Sequence, residues 1–192
     1  MRARIAALGV LSLLTATIGA ADDAGFRAGT FSPPRVAPDF SLRGSDGAEL
    51  NLGRFRGKVV ILGFGFTSCP NVCPITLAVL AEARKKLAAQ AAELQVVYIT
   101  VDPARDDAER MRKYLGSFDP TFIGGTGSAD ELAAVRQSYG ITATREDIGT
   151  SYGFSHSSYT YLIDREGNLR ALMPYGHSAD DYVHDVEILL KP

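Results

Sequence analysis

The sequence predicts an α/β sandwich: a mixed sheet flanked by helices, with a small β-hairpin at its N-terminal side. Three observations predict it. Two continuous apolar runs, 58–66 and 95–101, have the composition of strands buried on both faces. Stretches with helical spacing alternate with these runs, the pattern of a layered α/β domain. A last pair of strand-like runs joined by a short turn, then an amphipathic helix, closes the chain and makes the sheet mixed.

The elements follow in order. Residues 39–42 and 49–52 flank Gly44-Ser45-Asp46-Gly47, and alternation around an Asp-Gly turn reads as a hairpin. The strand 58–66 leads to a helix over 74–90, with Ile75, Leu77, Ala78, Leu80, Ala81 and Leu87 on its apolar face. Pro74 suits its first turn, where an N–H would lack a helical partner. A strand over 95–101 precedes a charged helix over 106–115. A short strand over 121–125 and a helix over 129–139 come next. Runs 159–164 and 169–173 form a hairpin around Arg165-Glu166-Gly167-Asn168. The helix 178–190 places Tyr182, Val183, Val186, Leu189 and Leu190 on one face.

The chain has 192 residues, enough for one domain with a real core. A net charge of −2 supplies no basic field for nucleic acid. Arg2 and Arg4 precede an uncharged run that ends in Gly19-Ala20-Ala21. Residues 1–21 therefore read as a signal peptide or an N-terminal membrane anchor. Residues 22–36, rich in Gly, Pro, Ser and Arg, read as a flexible linker, and 37–192 as the folded domain. The domain is expected to be exported, either periplasmic or anchored to the cytoplasmic membrane facing the periplasm.

Only two cysteines occur, Cys69 and Cys73, in Cys69-Pro70-Asn71-Val72-Cys73-Pro74. They lie between the first long strand and its helix, the site-bearing corner of open α/β sheets and a thioredoxin-like layout. Cys73 falls at a helix N-terminus, where the dipole and free N–H groups favour a thiolate. A bridge between them would close a very short loop and stabilise little. Two sulfurs fall short of a zinc site or an iron–sulfur cluster. Soft donors also select Cu(I), which is content with two or three of them. A redox pair is the other chemistry open to them.

A third ligand would have to be one of His156, His177 and His184. His184 sits on the last helix and reads as a surface imidazole. His177 precedes that helix and reads as a turn or cap residue. His156 stands just before a core strand, in a loop that a thioredoxin-like sheet turns toward the cysteine corner. Spacing leaves it either a ligand or a structural histidine.

Three stretches together are similar to the Sco/SenC family of copper-delivery proteins for cytochrome c oxidase. They are Gly65-Phe66-Thr67-Ser68-Cys69-Pro70-Asn71-Val72-Cys73-Pro74, then Thr100-Val101-Asp102-Pro103-Ala104-Arg105-Asp106, then Phe154-Ser155-His156-Ser157 with Tyr161-Leu162-Ile163-Asp164 after it. The similarity runs from about 38 to 190. The resemblance implies a thioredoxin-like fold and one copper per chain, Cu(I) or Cu(II), on Cys69, Cys73 and His156. It implies the copper-bearing subunit of the oxidase as partner, with other copper chaperones as further candidates. Asn71 and Ser155 replace acids common in the family, which removes negative charge near the site and no ligand. Asp102 and Arg105 read as a structural ion pair or cap.

Two functions are expected to compete. One is a copper metallochaperone serving the oxidase's dinuclear copper centre. The alternative is a thiol–disulfide oxidoreductase that uses Cys69 and Cys73 to reduce target cysteines. Against the second, Ser157-Ser158 precede Tyr159 where a thioredoxin would carry proline.

Overall fold

The computed structural model describes residues 25–191. An eight-stranded mixed sheet forms the centre. In chain order its strands are β1 (Gly29–Val36), β2 (Leu42–Gly44), β3 (Glu49–Leu50), β4 (Val59–Gly65), β5 (Leu94–Thr100) and β6 (Ile123–Thr126). A separate ribbon, β7 (Ala143–Ile148) and β8 (Ser151–His156), precedes the last two sheet strands, β9 (Tyr159–Ile163) and β10 (Asn168–Pro174). Four helices accompany them: α1 (Val72–Lys86), α2 (Ala108–Gly116), α3 (Ala129–Ser138) and α4 (Ala179–Leu190).

The sheet order is β1-β10-β9-β4-β5-β6-β2-β3. β4, β5 and β6 run parallel, and every other pairing is antiparallel. The two apolar runs of the sequence are the two central strands, buried along their whole length as parallel strands require. Register fixes which side chains share a face. Thr160, Gly63, Tyr98 and Gly124 stand in one row across β9, β4, β5 and β6. α4 meets this row where Tyr182 hydrogen-bonds Thr160 at 2.9 Å. α2 sits so close to it that a Cβ on Gly124 would lie 2.8 Å from that of Met111. On the opposite face Tyr139, which ends α3, packs against Phe64 and Tyr161 with ring centroids 5.7 and 5.2 Å apart. Helices therefore cover both faces. Ser128 with Glu131, and Ser178 with Asp181, form capping boxes that start α3 and α4.

The structure departs from the sequence reading at three places. Residues 29–36, expected within a flexible linker, are an edge strand. Gly29 and Thr30 pair with Leu172 and Ala171, and Arg35 and Val36 pair with Leu169 and Asn168. Pro33 and Pro34 fall in the interruption between these pairings; prolines lack the N–H of a ladder and are tolerated at an edge. The composition that suggests a linker is thus that of a blunted edge. Second, α1 ends at Lys86, short of the expected Gln90. Ala88 adopts φ 49°, and residues 88–93 turn as a 3-10 segment. Third, the β7–β8 ribbon is unanticipated. Its strands are largely exposed and pair only with each other, so no core periodicity marks them. The expected signal or anchor over 1–21 lies outside the described residues. Among those described, no helix is long and apolar enough to cross a membrane.

Candidate metal and thiol centre

β4 ends at Gly65, and the chain turns through residues 66–71 into α1. A buried carboxylate fixes the start of that turn. Asp106 is 0% exposed and accepts from the Thr67 N–H at 2.9 Å, the Thr67 hydroxyl at 2.5 Å and the Thr100 hydroxyl at 2.7 Å. Arg110 lies 3.6 Å from the same carboxylate and donates to the hydroxyls of Thr67 and Ser68 at 2.7 and 2.9 Å. A buried charge costs stability unless paired and hydrogen-bonded, and Asp106 is both. The cysteine loop is therefore tied to β5 and α2 before it reaches Cys69.

Cys69 is half-buried and Cys73 is 1% exposed in the first turn of α1. Asn71 holds the N-cap position, but its side chain makes no capping bond. The sulfur of Cys69 takes that role. It accepts the Cys73 N–H at 3.5 Å and a second N–H from Asn71. The Cys73 thiol donates to it as well, and His156 hydrogen-bonds it. Led by the Cys73 bond, these donors hold the Cys69 thiol well below its ordinary value, so Cys69 is the thiolate. Cys73 is pushed up in turn, first because its proton is shared with Cys69 and second by burial.

His156 reaches the pair from the end of β8. Tyr152, Phe154 and His156 alternate along that strand and point one way. Phe154 and His156 both pack edge-on against Phe66, with centroids 5.6 and 6.0 Å away. Tyr152 donates its hydroxyl to buried Asp102 at 3.0 Å. Arg105 pairs with Asp102, donates to the Tyr152 carbonyl at 3.0 Å and lies 3.8 Å over the Tyr152 ring. Asp102 and Arg105, expected as a structural pair, thus clamp the ribbon that carries the histidine.

The imidazole has a defined tautomer. Nδ1 lies 2.9 Å from the Ser157 carbonyl, which can only accept, so Nδ1 carries the proton. Nε2 faces Cys73 Sγ at 3.6 Å. Two ligands of one ion can stand this far apart, since metal–sulfur and metal–nitrogen bonds of about 2.3 and about 2.0 Å span more than that together. The donor set suits a soft ion: two sulfurs and one imidazole. Among the described residues, no three His, Cys, Asp or Glu side chains are already gathered closely enough to hold a metal.

The other two histidines pair elsewhere. His177 faces Asp181 at 3.4 Å and His184 faces Asp185 at 2.9 Å, each beside α4 residues. Asp106, Arg110, Phe66 and Phe154 support the site without any role foreseen for them. Alternation of Tyr152, Phe154 and His156 was the one signal for the ribbon.

Comparison with known proteins shows the family. The family model described as SCO1/SenC matches residues 29–191. A SCO2-like protein of Rickettsia conorii is 35% identical over 136 residues, which cover 69% of this chain and 66% of that protein. The chain thus spans just under two thirds of that relative's length. Apo Sco1 of Thermus thermophilus superposes with a TM-score of 0.77 at 34% identity, covering 86% of this chain and 97% of that one. Arabidopsis thaliana ScoI, solved with copper bound, gives a TM-score of 0.73 at 34% identity, covering 79% and 95%. With a family match across nearly all described residues and the thioredoxin-like sandwich shared with these structures, the chain belongs to the SCO1/SenC family.

Proposed function

We propose that this chain binds one copper through Cys69, Cys73 and His156 and delivers it to the dinuclear copper centre of cytochrome c oxidase. One observation carries the reading: Nε2 of His156 faces Cys73 Sγ at 3.6 Å, four residues along the chain from Cys69, whose thiol is held well below its ordinary value. A simple redox pair needs no imidazole that faces a sulfur. The copper-bound relative supports the choice of metal. Copper here is cargo. The three groups bind it in reduced protein and release it by ligand exchange to thiolates of the acceptor. The N-terminal segment 1–21 directs the domain across the cytoplasmic membrane, so that delivery takes place on its outer side.

Reduced protein titrated anaerobically with Cu(I) is expected to take up one copper per chain, with sulfur and nitrogen ligands in X-ray absorption. Cys69→Ala and Cys73→Ala should each lower affinity beyond the ~10–100-fold that changes around a metal site cost. His156→Ala should disturb Cu(II) more than Cu(I), because imidazole is the harder ligand. Unchanged affinity in both cysteine variants would sink the site.

The free, adjacent thiols favour a second reading, reduction of the oxidase's cysteines. A deletion strain separates the two. Added copper restores oxidase activity if the chain carries metal, and a small thiol restores it if the chain carries electrons.

A further inference from the structure

Tyr98 lies beneath the thiol pair and belongs to none of the matching motifs. It projects from β5 toward the face that carries α1, and it is 3% exposed. Its ring fills the space that two glycines of β4 leave open. A Cβ on Gly63 would come within 2.8 Å of the ring, and a Cβ on Gly65 would overlap the Tyr98 hydroxyl outright. That same Cβ would stand 2.8 Å from Cys73 Sγ. Hydroxyl and sulfur therefore share one small space under the start of α1. The alternation of small and large residues here is specific: Gly63 and Gly65 are required for a tyrosine to reach the sulfur at all.

We propose that Tyr98 is a positioning residue that holds Cys73 in its reduced form by donating a hydrogen bond to the Cys73 sulfur. The inference rests on the reading of Cys69 and Cys73 as the working pair. Closing the pair joins the two sulfurs: the Cys69 thiolate and the Cys73 thiol give up one proton and two electrons to a partner disulfide, which becomes one thiol and one thiolate. A disulfide sulfur is a poorer acceptor than a thiol or thiolate. Oxidation thus leaves a buried hydroxyl without a good partner, and a buried donor without a partner is costly. Tyr98 biases the pair toward the dithiol, the form that binds metal.

Tyr98→Phe tests this, because it keeps the ring over Gly63 and Gly65 and removes only the oxygen. Wild type and variant are equilibrated with reduced and oxidised glutathione, and the dithiol-to-disulfide ratio is read by alkylation and mass. The variant should shift about three- to tenfold toward the disulfide, the size of one net hydrogen bond. Tyr182→Phe is the control, since it removes a buried hydroxyl that pairs with Thr160 instead of sulfur. An unchanged ratio, a shift toward the dithiol, or an equal shift in Tyr182→Phe would overturn the proposal. Wild type supplies a measurement that needs no variant: the buried Tyr98 hydroxyl proton, followed by NMR, should move on oxidation, and an unmoved signal overturns the proposal. Copper uptake by wild type is scored separately. If copper fails to bind while the redox shift appears, the metal-delivery reading falls and the role of Tyr98 stands.

Discussion

At Cys69 a single sulfur does two jobs. It caps the first turn of α1 in place of Asn71, and it carries the charge of the pair. The depressed Cys69 value has a sign that can be checked. Since the Cys73 thiol is the largest cause, Cys73→Ala removes a donor to the thiolate and must raise the Cys69 value toward the ordinary 9.0. Iodoacetamide reacts with the thiolate, so the pH at which its rate is half-maximal should move upward in Cys73→Ala. His156→Ala should move it upward by less, because that hydrogen bond is the smaller contribution. A rate profile that stays in place in Cys73→Ala would remove Cys73 as the donor. Of this chemistry the sequence displays the two thiols and their place at a helix start. It does not display which of the two ionises. That depends on which sulfur faces the backbone N–H groups, and only three-dimensional geometry sets it.

The β7–β8 ribbon carries His156, the proposed third donor. It shares no ladder with the main sheet and is held from below by Phe66, Asp102 and Arg105. Tyr152→Phe deletes the hydroxyl that donates to buried Asp102 and leaves that carboxylate Arg105. The effect should be local. With its ribbon loosened, His156 should lose part of its hold on copper, about tenfold in Cu(II) affinity, as for other residues that orient a ligand. Cu(I) affinity should change less, since both sulfurs remain. Competition titrations with each oxidation state measure this, and equal losses for both would show that Tyr152 supports the cysteines as well. The Val-Asp-Pro-x-Arg-Asp stretch explains itself at this scale: Asp102 and Arg105 serve the histidine ribbon, and Asp106 serves the cysteine loop. One turn after β5 thus sets the distance between the two halves of the site.

Across the whole molecule, the N-terminal strand closes the sheet and the chain's own C-terminal helix holds it. The N–H groups of Arg27 and Ala28 donate to fully buried Asp185 of α4 at 2.8 and 2.9 Å. Truncation to 37–192 would strip that carboxylate of both backbone donors, leaving it His184, and would uncover β10. Relative to 25–192 it should lose about 2 kcal/mol in urea unfolding, the scale of two lost hydrogen bonds to a buried charged group. Equal midpoints would return residues 25–36 to the status of a linker. Much of the architecture was legible beforehand. The runs 58–66 and 95–101 are mostly apolar because a parallel strand between two helical layers has no wet face. Cys69, Cys73 and the His156 motif were legible too, because scarce, reactive residue types in close spacing stand out in any chain. What the linear order left hidden has one physical cause: it arises from pairings between distant residues. Pro33 and Pro34 look like linker until β10 pairs on either side of them. Tyr152, Phe154 and His156 look like polar loop until Phe66 and Asp102 meet them. Tyr98 looks like one more strand residue until Gly63 and Gly65, in register beside it, let its hydroxyl reach Cys73. Residue chemistry is local and can be read along the chain; which donor faces which acceptor is fixed only when the sheet closes.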